Sequence, residues 1–252
     1  GLNAKLNDTG FSRSRRFAVI NGDVDLTGVT RVDEFELSTG AGSIRVDGSA
    51  QVLTNSAKGG RILIASGGDL VIEDGALLDA SAKGAGDQRG GSISLQVGDA
   101  GSLDVGAAQL QVAGRGAGQP GEIHLRARQI GGDVAIDRYQ ALVSGGTTTL
   151  EVYRVTDLGA GDNVVDSALQ AEVVAQAAAF MTAANLSGIR GRLGQADAAA
   201  FRITPGVEIR SGGKLTMVDE WNLADARFDG VPGVLTLRAG GDLSIDANLS
   251  DG

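Results

Sequence analysis

The sequence predicts an all-β chain, a right-handed parallel β-helix (solenoid) with a short α-helical insertion. Three observations predict it. The phrase Gly60-Arg61-Ile62-Leu63-Ile64-Ala65-Ser66-Gly67-Gly68-Asp69-Leu70-Val71-Ile72 returns as Gly233-Val234-Leu235-Thr236-Leu237-Arg238-Ala239-Gly240-Gly241-Asp242-Leu243-Ser244-Ile245, with a shorter echo at Ile209-Arg210-Ser211-Gly212-Gly213-Lys214-Leu215-Thr216-Met217. Strand openings at Ile62, Ile93 and Ile123 follow one another at 31 and 30 residues, and the loops Gly84-Ala85-Gly86 and Gly116-Ala117-Gly118 are 32 apart. Glycine supplies 40 of 252 residues and proline 3, which fits many short strands joined by many tight turns and neither collagen nor a Pro-rich linker. A unit that recurs in this way cannot bury its own apolar face, so it must stack on copies of itself. Two further short strands fit between successive openings, giving three per period, a regularity that a sandwich has no reason to keep. Neighbouring coils would lie ~4.8 Å apart, and their crossovers would be right-handed, as parallel connections nearly always are.

From Phe17 to about Tyr153 the strands follow one another: Phe17 to Ile20, Val24 to Leu26, Phe35 to Leu37, Ser43 to Val46, Arg61 to Ala65 and Leu70 to Ile72. Ser92 to Val97, Leu103 to Val105, Leu110 to Val112, Glu122 to Arg126 and Thr148 to Tyr153 continue the series. Alternation within them, as in Ile93-Ser94-Leu95-Gln96-Val97, puts 93, 95 and 97 on one face. The rule breaks at Val164 to Ala184, which holds no glycine or proline and carries Val165, Leu169, Val173, Ala177, Phe180 and Ala184 at helical steps. Asp162 or Asn163 is placed to cap this helix, Asp166 and Glu172 lie toward its positive end, and Gly188 follows it. A second helical turn is expected at Gln195 to Phe201, before Thr204-Pro205-Gly206 restarts the strands. The expected organisation is a shaft over 1–160, a helical insertion on its flank over 161–205, and the shaft resumed over 206–252.

Apolar residues make up 42% and aromatics 4%, so the expected core is built from Val, Ile, Leu and Ala. A formal charge of −9 disfavours nucleic acid, whose phosphates attract Lys and Arg. Absence of cysteine excludes a disulfide framework and a thiolate metal site, and it fits a protein exported unfolded. The chain starts at Gly1 in mid-pattern, without a methionine or signal peptide, and reads as a piece of something longer.

The strand grammar, the Gly-Gly-Asp-Leu turns and the closing phrase Pro232 to Leu243, preceded by Trp221-Asn222-Leu223, Arg227-Phe228 and Gly230, resemble filamentous-haemagglutinin-type exoproteins of bacterial two-partner secretion. The resemblance covers about two thirds of the chain and is strongest from Pro205 to Gly252. It implies a long shaft on, or shed from, a Gram-negative surface, serving adhesion, biofilm formation or carriage of a distal effector. It also implies an outer-membrane transporter as partner, with host or neighbouring-cell surfaces or glycans as targets. The family's amino-terminal secretion domain carries an N-P-N signature. Here Pro120, Pro205 and Pro232 follow Gln119, Thr204 and Val231, so the resemblance is to shaft, and it supplies no catalytic residue.

His124, the only histidine, sits between Ile123 and Leu125, where alternation points it outward; one ring builds neither a triad nor a multi-histidine metal site. Gly116-Ala117-Gly118-Gln119-Pro120-Gly121 satisfies G-x-G-x-x-G, but a strand follows instead of the helix start that faces a pyrophosphate. Asp8-Thr9-Gly10 matches the aspartic-protease triplet without flanking support and reads as a turn. Asp23, Asp25, Asp69, Asp87, Asp133 and Asp242 lie near turns, yet the calcium nonapeptide G-G-x-G-x-D-x-U-x is not found. Asp69 and Asp242 instead read as turn residues bonding their own backbone. Trp221, beside Asp219 and Glu220, is a candidate surface contact, with local packing the favoured reading.

No cofactor, metal site or catalytic residue is therefore expected, and the sites singled out are structural: Gly67, Gly68 and Asp69, Gly212 and Gly213, and Gly240, Gly241 and Asp242. The expected function is a structural or adhesive shaft segment of a secreted surface exoprotein, tending to associate end to end because solenoid ends are adhesive. The alternatives are a carbohydrate-active β-helix enzyme and a binding module built on the helical insertion.

Overall fold

Short runs of Val, Ile and Leu set between glycines form strands that pair in parallel, and the chain is mostly β, with 47% strand and 13% helix. The structure, a computed structural model, describes residues 2–228 and 230–251. The chain divides into two units. The first comprises Gly1–Arg128, Val134–Leu150 and Arg190–Arg202, and the second Gln129–Asp133, Glu151–Ile189 and Ile203–Gly252.

In the first unit each strand pairs in parallel with the one three positions before it in the repeating series. One sheet contains Ser14–Val19, Glu34–Thr39, Arg61–Ser66, Ser92–Val97 and Gly121–Ile130 in that order. A second contains Val24–Leu26, Ile44–Val46, Leu70–Ile72, Leu103–Val105 and Ile136–Tyr139. A third contains Val29–Arg31, Gln51–Leu53, Leu77–Asp79, Gln109–Gln111 and Leu142–Ser144. Register is kept by the apolar alternation: Phe35, Ile62, Ile93 and Ile123 form one column, and Leu37, Ile64, Leu95 and Leu125 the next. A one-residue slip would turn every one of these side chains to the other face. Ile62, Ile64, Ile93, Leu95, Ile123 and Leu125 are fully buried, each contributing about 1.5–3 kcal/mol by burial.

The expected periods of 31 and 30 are thus ladder register, since Ile62 pairs with Ile93 and Ile93 with Ile123. In the third sheet Gln109–Gln111 overlaps the strand expected at Leu110 to Val112, while Val29–Arg31, Gln51–Leu53 and Leu77–Asp79 had no expected counterpart. The helix α1 (Leu2–Asp8), which had no forewarning, precedes the first strand. Its Asn7 side chain donates to the Val29 carbonyl (2.8 Å) and accepts from the Arg31 amide (3.0 Å), taking the place of a neighbouring strand. Arg15, 4% exposed, donates to Phe11 and Arg31 carbonyls, and desolvation holds its guanidinium pKa below the ordinary value.

In the second unit Gly206 to Ser211 pair in parallel with Val234 to Ala239. Asn163–Val165, Leu215–Met217 and Leu243–Ile245 make a three-stranded sheet, and Trp221–Asn222 pairs with Leu249–Ser250. The helix expected over 164–184 forms as α2 (Ser167–Phe180), capped by Asp166 rather than by Asp162 or Asn163. Asn163 opens a strand, while Asp166 accepts from the Leu169 amide at 2.9 Å and Asp219 accepts from the Ser167 amide at 2.8 Å. A second helix, α3, spans Ala183–Arg192, its last turn assigned to the first unit, and takes in Gly188, the residue expected beyond the end of the first helix. The helical turn expected at Gln195 to Phe201 is a single turn within the first unit, closed by the Phe201 amide on the Asp197 carbonyl at 2.9 Å, with Asp197 Oδ1 accepting from the Ala199 amide, and Phe201 opens a strand. Val173 of α2 joins Val165, Ile209, Leu215, Met217 and Trp221 in the apolar core, so the helix is part of that core.

Candidate functional site

The Gly-Gly turns are where the sequence concentrates its signal, and the structure gives them a reason other than turn conformation. Gly67, Gly68, Gly212, Gly213, Gly240 and Gly241 are not among the glycines with positive φ. A Cβ at Gly67 would lie 2.1 Å from the Gly40 carbonyl oxygen, at Gly213 2.5 Å from that of Gly161, and at Gly240 2.2 Å from that of Gly212. Each turn lies directly on its neighbour along the sheet, and only glycine leaves room for the backbones to meet. The ladder of hydrogen bonds runs on through the turns, Gly68 N to Gly42 O at 2.9 Å and Gly241 N to Gly213 O at 3.0 Å.

Asp69 does not bond its own backbone, as expected from its type; it reaches along the stack. Its Oδ1 accepts from the Ser102 amide at 2.8 Å. Asp23 accepts likewise from the Ser43 amide at 2.8 Å, and Asp162 from the Lys214 amide at 2.9 Å. Ser66 and Ser211, each preceding a glycine pair, donate alike: Ser66 to Gly42 O and Asp69 O, Ser211 to Gly161 O and Lys214 O. The same Ser-Gly-Gly device thus appears in both units. Asp242 holds the corresponding place in the last Gly-Gly turn, and among the described residues its carboxylate has no partner.

Trp221 is 6% exposed and packed in the core of the second unit, so it is a packing residue and not an exposed contact. One face of it lines a cleft of ≈ 180 Å³ with Leu223, Phe228, Pro232 and Leu235, beside α2. Asp251 is the one ionisable residue lining that cleft among those described, and it pairs with Arg227 at 3.2 Å. The cleft, and the place of Phe228 in it, escaped the sequence reading, because nothing local says that Arg227–Phe228 folds against Val231–Pro232 as a short antiparallel pair.

The titratable candidates are dispersed. His124 is half-buried, aligned with Ser94 on the neighbouring strand at 3.5 Å. Asp8 ends α1, and Gly10 takes φ 82° in the turn after it. Gly121, the last glycine of the G-x-G-x-x-G match, opens a strand. Among the described residues no three His, Cys, Asp or Glu side chains gather as a metal site. Two buried features were missed. Glu208, fully buried, sits 2.6 Å from Arg210 Nε and 2.8 Å from Arg238 Nε; Arg238 is paired with Arg210 across the strands, a juxtaposition visible only once register is known. Tyr139, 3% exposed, bonds Thr148 Oγ1 at 3.1 Å, and burial pushes its phenol up to about 12, against the lowering effect of that bond.

On the outer face Arg45 gathers three carboxylates, Glu73 at 2.7 Å, Asp47 at 3.4 Å and Asp25 at 3.7 Å. Hydrogen bonds from Ser49 first, and the Arg45 charge after them, hold Asp47 below the ordinary aspartate range. Such exposed pairs contribute little to stability individually. No family model, curated protein or solved structure matches the chain.

Proposed function

We propose that the chain is a structural, adhesive shaft segment of a secreted bacterial surface exoprotein of the filamentous-haemagglutinin type. In this reading the parallel sheets are the walls of one right-handed β-helix design, used in both units, and the helical stretch interrupts it. The shaft holds adhesive or effector modules away from a Gram-negative cell and is exported through an outer-membrane transporter. The observation that supports this most is the register of the Gly-Gly turns. The repeat stacks turn on turn with glycine at each backbone contact and an aspartate or serine bridging to the next turn. That is a way of making length rather than a pocket. Host or neighbouring-cell surfaces or glycans are the targets that the reading gives to the modules it carries.

The test is surface labelling of intact cells that produce the native protein, with an antibody raised against this segment. Label on the cell exterior or in the medium, lost when the outer-membrane transporter is deleted, is expected. Label confined to the cell interior overturns the proposal.

A further inference from the structure

Charge in the first unit is sorted to two sides. Three loops join the third sheet to the first, residues 54–60, 80–91 and 112–120, and they lie on one another through their backbones. Lys83 N donates to Ser56 O at 3.1 Å and Gly59 N to Arg89 O at 2.9 Å, while Arg115 and Gln88 exchange backbone hydrogen bonds at 2.9 and 3.0 Å. A Cβ at Gly59 would stand 1.9 Å from Gly91 N, and one at Gly118 1.9 Å from Gln88 O, so the loops are held as a stack. They carry Lys58, Lys83, Arg89 and Arg115 against one carboxylate, Asp87, in a chain of net charge −9. Lys83 pairs with Asp79, and Asp87 accepts from the Ala117 amide at 2.8 Å. Lys58, Arg89 and Arg115 are exposed and have no ion pair among the described residues.

The second sheet and the turns on either side of it, residues 20–28, 40–50, 67–76, 98–108 and 134–141, hold the opposite charge: nine carboxylates against two arginines, Arg45 and Arg138. Each arginine already has more than one carboxylate partner, and Asp23, Asp25, Asp69, Asp74 and Asp137 stand exposed. In the stacked-coil reading the second sheet lies across the coil from the loops, because the chain passes from first sheet to second to third before each loop. Both surfaces then share the pitch of the ladder, ~4.8 Å between successive coils.

We propose that these loops dock the second-sheet side of another copy, so that shafts associate side by side through charge. The proposal rests on the stacked-coil reading above and names the surfaces by which two shafts meet. A second copy is the partner that the charges favour. It brings carboxylates at the pitch of the loops' cations, whereas a long acidic polymer is repelled by the acidic side of the same unit. Each copy has one surface of each kind, so the contact is heterologous and extends sideways. Exposed charges carry it, so it loosens as salt screens them.

The experiment is sedimentation velocity on the 252-residue chain over a range of concentration. Salt is varied from about 0.01 M to about 1 M, over which the Debye length falls from ~30 to ~3 Å. Association that grows with concentration at low salt and disappears at high salt is expected. Lys58→Glu, Arg89→Glu and Arg115→Glu together should abolish it and leave the β-rich circular dichroism intact, because these side chains are exposed and make no ion pair. Zero-length carbodiimide coupling in a mixture of unlabelled and isotope-labelled chains should join Lys58 of one copy to a carboxylate within 20–28, 40–50 or 67–76 of another. Association that persists in the triple variant, or strengthens with salt, overturns the loop contact. A monomer at every concentration with its β spectrum intact overturns self-association and leaves the stacked-coil reading standing. Polygalacturonate bound by such a monomer, and not by the triple variant, gives the loops to a polyanion and overturns the second copy as their partner. Coupling of Lys58 to the second-sheet side of its own copy overturns the stacked-coil reading, which sets the two across the coil, and the proposal with it.

Discussion

At Gly101 an added Cβ would stand 2.0 Å from the Gly68 carbonyl oxygen, a contact with backbone that no rotamer change relieves. Gly101→Ala should therefore cost roughly 1–3 kcal/mol, the range for overpacking a close-packed site, read as a lowered denaturation midpoint. The glycine pairs were legible in the sequence, but their reason was not. Composition suggests glycine for turns with positive φ, whereas these positions need the absence of a side chain where two turns touch. The same holds for Asp69: its residue type pointed to a local turn bond, and its partner, Ser102, lies 33 residues away. Tyr139 gives a residue-level test through pH. Its folded pKa, about 12, lies above the ~10 of an unfolded chain. The stability held by the buried neutral phenol is thus complete below pH ~10 and is lost as pH rises toward the folded value. Tyr139→Phe should remove this alkaline loss while costing about 1 kcal/mol at neutral pH, because Thr148 loses its partner. Urea titrations at neutral and alkaline pH check both parts.

Among the elements, strands with period-two alternation between glycines were readable to within a residue or two: Val24–Leu26, Leu70–Ile72, Ser92–Val97 and Leu103–Val105 form as expected. Helix boundaries were less readable, since capping is decided by tertiary partners. Asp219, 52 residues from Ser167, binds its amide, and this favours a start after Asp166. The seven-residue α1 shows no apolar stripe long enough to announce it. Gly188, expected after a helix, lies inside α3 with open space where a Cβ would go. Gly188→Ala should accordingly stabilise the second unit by about 0.5–1 kcal/mol, the helix-interior difference between the two residues. By contrast Val173, 2% exposed in the core with Ile209 and Met217, should cost about 2 kcal/mol as Val173→Ala through lost burial and the cavity left behind. Equilibrium unfolding of the two variants measures both. If α2 served only as an exposed binding element, Val173→Ala would leave stability unchanged.

For the whole molecule, repetition carried the most information and spacing the most specific part of it. Intervals of 31 and 30 residues became strand pairs in register, because a parallel ladder fixes how far the chain travels before it returns. The cleft beside Trp221 and the buried Glu208 with its two arginines were invisible for the complementary reason: each is assembled from strands whose adjacency no local pattern states. A repeat that spends glycine on contact between turns, with aspartate and serine linking one turn to the next, is suited to extension, and the shaft reading makes extension its purpose. The intact mass of the native polypeptide containing this segment tests that claim most directly. The account predicts a polypeptide several times longer than these 252 residues, with the segment as one stretch of its length. A native product no larger than the segment would contradict it, because a shaft of that size has nothing to carry.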